Sequence, residues 1–219
     1  MKTALITGAN RGIGLELAKQ LQQKGHNIIA TCRKSSPELE KLNCQIETEV
    51  DVTDSDSILE LAKKLEGQNI DLLINNAGFL QSMSLDNLDF DAMRLQYEIN
   101  TLGPLRVTVN LLPNLSQGSK VAIITSRMGS IEDGSGGQYG YRMSKSAVNM
   151  VGSSLAHDLK PKGIAVALLH PGYVRTDMTG GSGLIDADES ARGLIQRIEE
   201  LNMNNTGGFW HTDGTELPW

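Results

Sequence analysis

The chain has 219 residues, long enough to bury a sizeable core without disulfide or metal staples, and its length points to one large domain spanning residues 1–219. Apolar residues make up 39% and charged residues 21%, which excludes a disordered chain. Its 20 basic and 26 acidic residues leave a net charge of −6, an unfavourable field for nucleic acid or an anionic membrane. Two cysteines, Cys32 and Cys44, form no zinc or multi-disulfide framework and read as reduced thiols. Met1-Lys2 runs straight into a short apolar run and a glycine turn, and no apolar run approaches the ~18 residues of a membrane span. The expectation is a cytoplasmic protein without a leader.

Short β-branched, apolar runs lie at Ala4–Thr7, Asn27–Thr31, Gln45–Val50, Asp71–Ile74, Lys120–Thr125, Ile164–Leu169 and Gly208–His211. They lack polar/apolar alternation, as strands buried on both faces do. Between them, stretches of helical period occupy Ile13–Lys24, Ser55–Glu66, Asp91–Leu112, Tyr139–Leu159 and Glu189–Leu201. Ile13, Leu17, Ala18 and Leu21 mark the buried face of the first, and Leu59, Ala62 and Leu65 that of the second, which Asp54 or Ser55 can cap. Strands alternating with helices predict an α/β fold: a single doubly wound domain whose seven-stranded parallel sheet carries helices on both faces. Two Gly/Ser-rich stretches, Gly129–Gly137 and Thr179–Gly183, follow strands on the side where such sheets bind ligands.

The first strand ends in Thr7-Gly8-Ala9-Asn10-Arg11-Gly12-Ile13-Gly14, and a helix follows at once. Glycines at 8, 12 and 14 permit a tight turn, close approach to a pyrophosphate and close packing of helix on strand. The helix N-terminus then offers free N–H groups to phosphate. After the second strand, at Thr31-Cys32-Arg33-Lys34, a fold preferring NAD places an acid to hold the ribose 2′-hydroxyl. No acid occurs between Glu16 and Glu38; Arg33 stands there instead, with Arg11 in the glycine turn. Both can converge on a 2′-phosphate, which points to NADP(H); two solvated arginines are the alternative.

Tyr141 and Lys145 lie one helical turn apart on the same face. A phenol of ordinary pKa about 10 is a poor acid–base group at neutral pH, and a nearby ammonium lowers that value. Tyr141 can then exchange a proton with a carbonyl/alcohol oxygen. Tyr139 has Met143 four residues on and makes no such pair. Pro104 lies four residues after Asn100, has no N–H for the Asn100 carbonyl and opens that turn of helix. The freed acceptor needs a partner or a water.

Together these motifs resemble the short-chain dehydrogenase/reductase family, over almost the whole chain. The resemblance rests on the Gly8/Gly12/Gly14 turn, Asp51-Val52, Asn75-Asn76-Ala77-Gly78, Asn100, Ser126, Tyr141/Lys145 and Pro171-Gly172 with Thr176. Ser126–Ile131 and Tyr141–Lys145 further resemble its sniffer-type carbonyl reductase and C-factor branch.

The resemblance implies a Rossmann-type fold and an NADP(H)-dependent carbonyl/alcohol oxidoreductase needing no metal. Asn100, Ser126, Tyr141 and Lys145 match the catalytic tetrad, with Ser126 on the substrate oxygen, Tyr141 as acid/base and Lys145 on the nicotinamide ribose. Gly8, Asn10, Arg11, Gly12, Ile13, Gly14 and Arg33 would surround the phosphates. Asp51 and Val52 would meet adenine, and Asn76, Ala77 and Gly78 would line the cofactor. Pro171, Gly172 and Val174 would frame the nicotinamide, with Thr176 near its carboxamide. Asn75-Asn76 as turn formers, Ser126 as a strand end and Asp51 as a loop cap are the bland alternatives. His170 reads as packing, while Met128, Met143, Tyr173 and Trp210 fit pocket and core equally. The chain departs from the family in a longer Ser126-to-Tyr141 segment and a compact Thr176-to-Glu189 lid. A small-molecule carbonyl or alcohol substrate and a homodimer or homotetramer are expected. The rival reading is an NADP(H)-binding signalling protein of C-factor type with little or no turnover.

Overall fold

A computed structural model describes residues 1–219. The strands are β1 (Thr3–Thr7), β2 (Asn27–Thr31), β3 (Gln45–Glu47), β4 (Leu72–Asn75), β5 (Lys120–Ile124), β6 (Ala165–His170) and β7 (Phe209–His211). The helices are α1 (Gly12–Gln23), α2 (Pro37–Glu40), α3 (Ser55–Lys64), α4 (Phe90–Tyr97), α5 (Gly103–Asn110), α6 (Tyr139–Leu159) and α7 (Ala187–Glu200). All seven strands are parallel, in the order β3-β2-β1-β4-β5-β6-β7. The strand order reverses between β1 and β4, and this is where open α/β sheets bind ligands.

The strand period of two divides the core between the sheet's faces. Ala4 and Ile6 of β1 join α1 and α7 in one cluster; Leu5 joins α3, α5 and α6 in the other. Both faces are therefore covered, which is why the strands read as continuous apolar runs. No helix is long and apolar enough to cross a membrane.

Several elements differ from the sequence expectation. β3 stops at Glu47, because Glu49 takes a left-handed turn (φ 61°) and returns Val50 to the Cys32 carbonyl. The single turn α2 was not foreseen, although Ser36 caps it and Pro37 occupies its first position. In α3 the cap is Asp54, and the buried residues are Ile58 and Leu61, followed by Leu65 at its C-cap; Leu59 is exposed and Ala62 half-buried. The expected helix Asp91–Leu112 is three pieces: α4, a π-helical turn over Glu98–Leu102, and α5. The N–H of Gly103 reaches back five residues to the Glu98 carbonyl. Pro104 explains the shift of ladder, since it cannot donate to Asn100.

Candidate active site

The C-terminal ends of β1, β2, β4, β5 and β6 open onto a cleft of about 830 Å³. At its phosphate end, Gly8, Asn10, Arg11, Gly12, Ile13 and Gly14 line the wall. A Cβ at Gly14 would collide with the Gly8 carbonyl and the Asn76 amide, so α1 sits closer to the sheet than any other residue allows. The first turn of α1 has no side-chain cap and no acid, which leaves its N–H donors available to an anion. Asn10 fixes the turn laterally: its side-chain amide donates to the Lys34 carbonyl (3.0 Å), and its own carbonyl accepts from the Ser36 hydroxyl (2.6 Å).

Arg33 lines the same end and is exposed. Arg11 does too, but its guanidinium is bound to Asp177 at 2.9 Å. Sequence reasoning missed two neighbours. Lys34 joins Arg33 on the wall, and α2 folds back to bring Glu38 to it. The stretch free of acids is thus real in sequence but shorter in space. The signal for α2 was its Ser-Pro start.

Asp51, Val52, Asn76, Ala77 and Gly78 line the cleft as expected. Asp51 also serves as the loop cap: its Oδ1 accepts from the Thr53 amide (2.9 Å) and hydroxyl (2.8 Å). Asn76 staples β4 to β1. Its side chain donates to the Thr7 and Gly8 carbonyls, and its N–H donates to the Thr7 hydroxyl. Pro171 and Thr176 line the far wall, while Gly172 and Val174 pack towards Ile185 instead of lining the cleft. Phe79, Leu95, Ile99, Met178 and Arg175 are among the other lining residues, none of them marked by a motif. Met128, Met143, Tyr173 and Trp210 lie outside it; Met143 and Tyr173 are exposed, and Trp210 packs on the α1/α7 core.

Tyr141 and Lys145 project from the first two turns of α6 into the cleft, both nearly fully buried. Start and aim of α6 depend on Gln138, held left-handed (φ 50°). Its N–H donates to the Met83 carbonyl, its Oε1 accepts from the Met83 N–H, and its Nε2 donates to the Ser82 hydroxyl. Ser126 follows β5 and is buried; its hydroxyl accepts from the Met128 N–H at 3.2 Å and lies beside the Tyr141 phenol. Asn100 sits behind the cleft wall on the π turn. Its side-chain amide exchanges two 2.8 Å bonds with the backbone of Phe79 and donates to the Ser144 hydroxyl at 3.0 Å. Asn100 thus joins the β4 loop to the turn of α6 that precedes Lys145.

Burial dominates the titration of this group. It pushes the Tyr141 phenol up to about 12, with the Ser126 hydroxyl opposing. It pushes Lys145 down to about 8. The expected lowering of the phenol by Lys145 is overturned: the ammonium lies 5.6 Å from the ring centroid and donates to the Ile124 carbonyl at 2.9 Å. His170 is pushed down to about 3, chiefly by burial, and packs edge-on to His211 at 4.9 Å, the packing role expected of it.

A model of the short chain dehydrogenase family matches residues 2–184. The chain belongs to the short-chain dehydrogenase family. Within that family it is 42% identical, over all of both chains, to 1-hydroxy-2-glutathionyl-2-methyl-3-butene dehydrogenase of Rhodococcus sp. (strain AD45). It is 47% identical over 154 residues to C-signal of Myxococcus xanthus, covering 68% of this chain and 93% of that one. The short-chain dehydrogenase fold seen here also superposes on carbonyl reductase Sniffer of D. melanogaster with a TM-score of 0.92, at 32% identity over all of both chains. An NADPH-bound carbonyl reductase from chicken fatty liver superposes at 0.90, with 32% identity over 100% of this chain and 99% of that one.

Proposed function

We propose that this short-chain dehydrogenase is an NADP(H)-dependent oxidoreductase acting on a carbonyl/alcohol pair, with Asn100, Ser126, Tyr141 and Lys145 at its centre. The observation that carries the reading is that Tyr141 and Lys145 line the cleft that begins at the glycine turn, with Ser126 buried behind the lining beside the phenol. The uncapped first turn of α1 and the cationic Arg33 and Lys34 fit a dinucleotide phosphate and a 2′-phosphate. The NADPH-bound avian carbonyl reductase supports the same cofactor.

When bound, the dinucleotide supplies a hydride to the carbonyl carbon. Ser126 holds the carbonyl oxygen beside Tyr141. The phenol, neutral at rest because burial holds its pKa near 12, donates the proton to that oxygen. Lys145 binds the nicotinamide ribose, and Asn100 keeps the β4 loop and α6 in register behind it. A resting neutral acid suits the reductive direction. The oxidative direction, suggested by the Rhodococcus dehydrogenase, requires the phenol to lose its proton first.

The rival reading, a signalling protein that binds NADP(H) without turnover, draws on the likeness to C-signal. The presence of Asn100, Ser126, Tyr141 and Lys145, with Tyr141 and Lys145 facing the cleft, opposes it. Exposed Tyr97, Val109 and Met150 on α4, α5 and α6 support self-association as a homodimer or homotetramer. The free cysteines support a cytoplasmic location. The test is NADPH oxidation by the purified protein against a panel of aldehydes, ketones and quinones. Turnover of any class supports catalysis; NADPH binding with no turnover across the panel supports the rival.

A further inference from the structure

The segment between Ser126 and Tyr141 cannot hold itself. It contains Gly129, Gly134, Gly136 and Gly137; of its large side chains Ile131 is 80% exposed, and Met128 and Tyr139, at its two ends, are only half-buried. With little apolar burial between its ends, the order of its middle comes from polar ties that offset a large backbone entropy. Its near end is seated on α6: the Ser146 hydroxyl donates to the Gly129 carbonyl at 2.8 Å, and a Cβ at Gly129 would lie 2.6 Å from the Lys145 carbonyl carbon. Its middle is tied by Arg127 to Asp133 (2.6 Å), and by Ser130, Ile131 and Glu132, which all donate to the Trp219 carbonyl.

One side chain spans the whole segment. Arg142, half-buried and next in sequence to Tyr141, donates to the Met128 carbonyl (3.3 Å), the Asp133 carbonyl (3.3 Å), the Gly136 carbonyl (3.2 Å) and the Ser135 hydroxyl (2.5 Å). Met128 belongs to the turn that Ser126 caps. The guanidinium therefore links the residue after the phenol to both ends of the loop after the serine. A planar fork with several fixed donors suits this task; a lysine offers one rotating point of contact.

We propose that Arg142 is a positioning residue for the reaction: by pinning the 127–138 loop to α6 it sets the Ser126 hydroxyl against the Tyr141 phenol. Its guanidinium donors are taken up by the loop, so it acts through Ser126 and Tyr141 and not on substrate or cofactor. The inference rests on the roles given to Ser126 and Tyr141 above.

The experiment is a double-mutant cycle on the full chain, reading kcat, KM and NADPH affinity. Arg142→Met should lower kcat roughly tenfold or more, the scale of a small misplacement of reacting groups, with NADPH affinity unchanged. Arg142→Lys should recover part of that loss, and it enters the same cycle should Arg142→Met fail to fold. In a Ser126→Ala background the Arg142 substitution should cost little further, because the group it positions is gone. A full, additive loss in that background, or an undiminished kcat in Arg142→Met and Arg142→Lys alike, overturns the inference. If Ser126→Ala and Tyr141→Phe themselves leave kcat unchanged, the failure lies with the assigned chemistry instead.

Discussion

Lys145 donates its ammonium to the carbonyl of Ile124, the last residue of β5, at 2.9 Å. That bond anchors α6 to the strand that delivers Ser126, but it leaves a buried cation with one carbonyl partner among its hydrogen bonds. Burial moves Lys145 from 10.5 to about 8, and at about 1.36 kcal/mol per pH unit this corresponds to about 3 kcal/mol. The sign follows from linkage. A base whose folded pKa is depressed costs stability in full below the folded value, and the cost fades as pH rises towards the unfolded value. Lys145→Met should therefore be more stable than wild type at pH 7, with the gap closing between pH 8 and 10.5. Chemical denaturation of both proteins across that range checks it. Equal stability at pH 7 would mean that the Ile124 carbonyl compensates the charge.

Asn100 carries the opposite expectation. Its amide satisfies both backbone groups of Phe79 and the Ser144 hydroxyl in a buried setting. Asn100→Leu leaves the N–H and C=O of the half-buried Phe79 without this partner, at about 1–2 kcal/mol each, the lower part of the range for an unpaired group, while the Ser144 hydroxyl keeps its bond to the Tyr141 carbonyl. The variant should lose roughly 2–4 kcal/mol of stability and show a lower melting temperature. A melting temperature equal to wild type would count against the bridging role.

The layout of the sheet was readable because each strand is buried on both faces, and α6 was placed to the residue, Tyr139–Leu159, by its long apolar period. The cleft wall was readable where the residue type and its spacing are distinctive, as at Gly14, Tyr141 and Lys145, all of which line it. What escaped the sequence was what depends on return paths in space. Nothing local told that α2 brings Glu38 to the phosphate end, that Arg11 meets Asp177 across 166 positions, or that Gln138 holds the Met83 loop. The phenol's titration was misjudged for a related reason: proximity in sequence gave the ammonium, but burial outweighs it.

Cofactor choice follows from the charges at the end of β2. Arg33 and Lys34 favour a 2′-phosphate, and Glu38 opposes it. NADPH should bind more tightly than NADH. Arg33→Asp should shift preference towards NADH more than Arg33→Ala, at roughly 1.4 kcal/mol per tenfold change in affinity. Glu38→Gln should tighten NADPH a few-fold, in the manner of an exposed charge screened by salt. Titrating both cofactors against each variant checks all three. Equal wild-type affinity for NADH and NADPH would remove the 2′-phosphate assignment.

The Arg11–Asp177 pair joins the glycine turn to the segment after β6, and both side chains are largely exposed. Such a pair contributes about 0–1 kcal/mol to stability. Asp177→Asn should leave the melting temperature unchanged and free Arg11 for phosphate, tightening NADPH measurably. Weaker NADPH binding in Asp177→Asn would mean that the pair holds Arg11 where the cofactor needs it.

The central claim is that the buried, neutral Tyr141 phenol is the acid of carbonyl reduction, and single-turnover oxidation of NADPH by Tyr141→Phe tests it most directly. With a carbonyl compound that wild type reduces, the account predicts unchanged NADPH binding and a rate lower by roughly 10²–10⁴-fold, the scale of a lost general acid. A rate equal to wild type in that variant would contradict it.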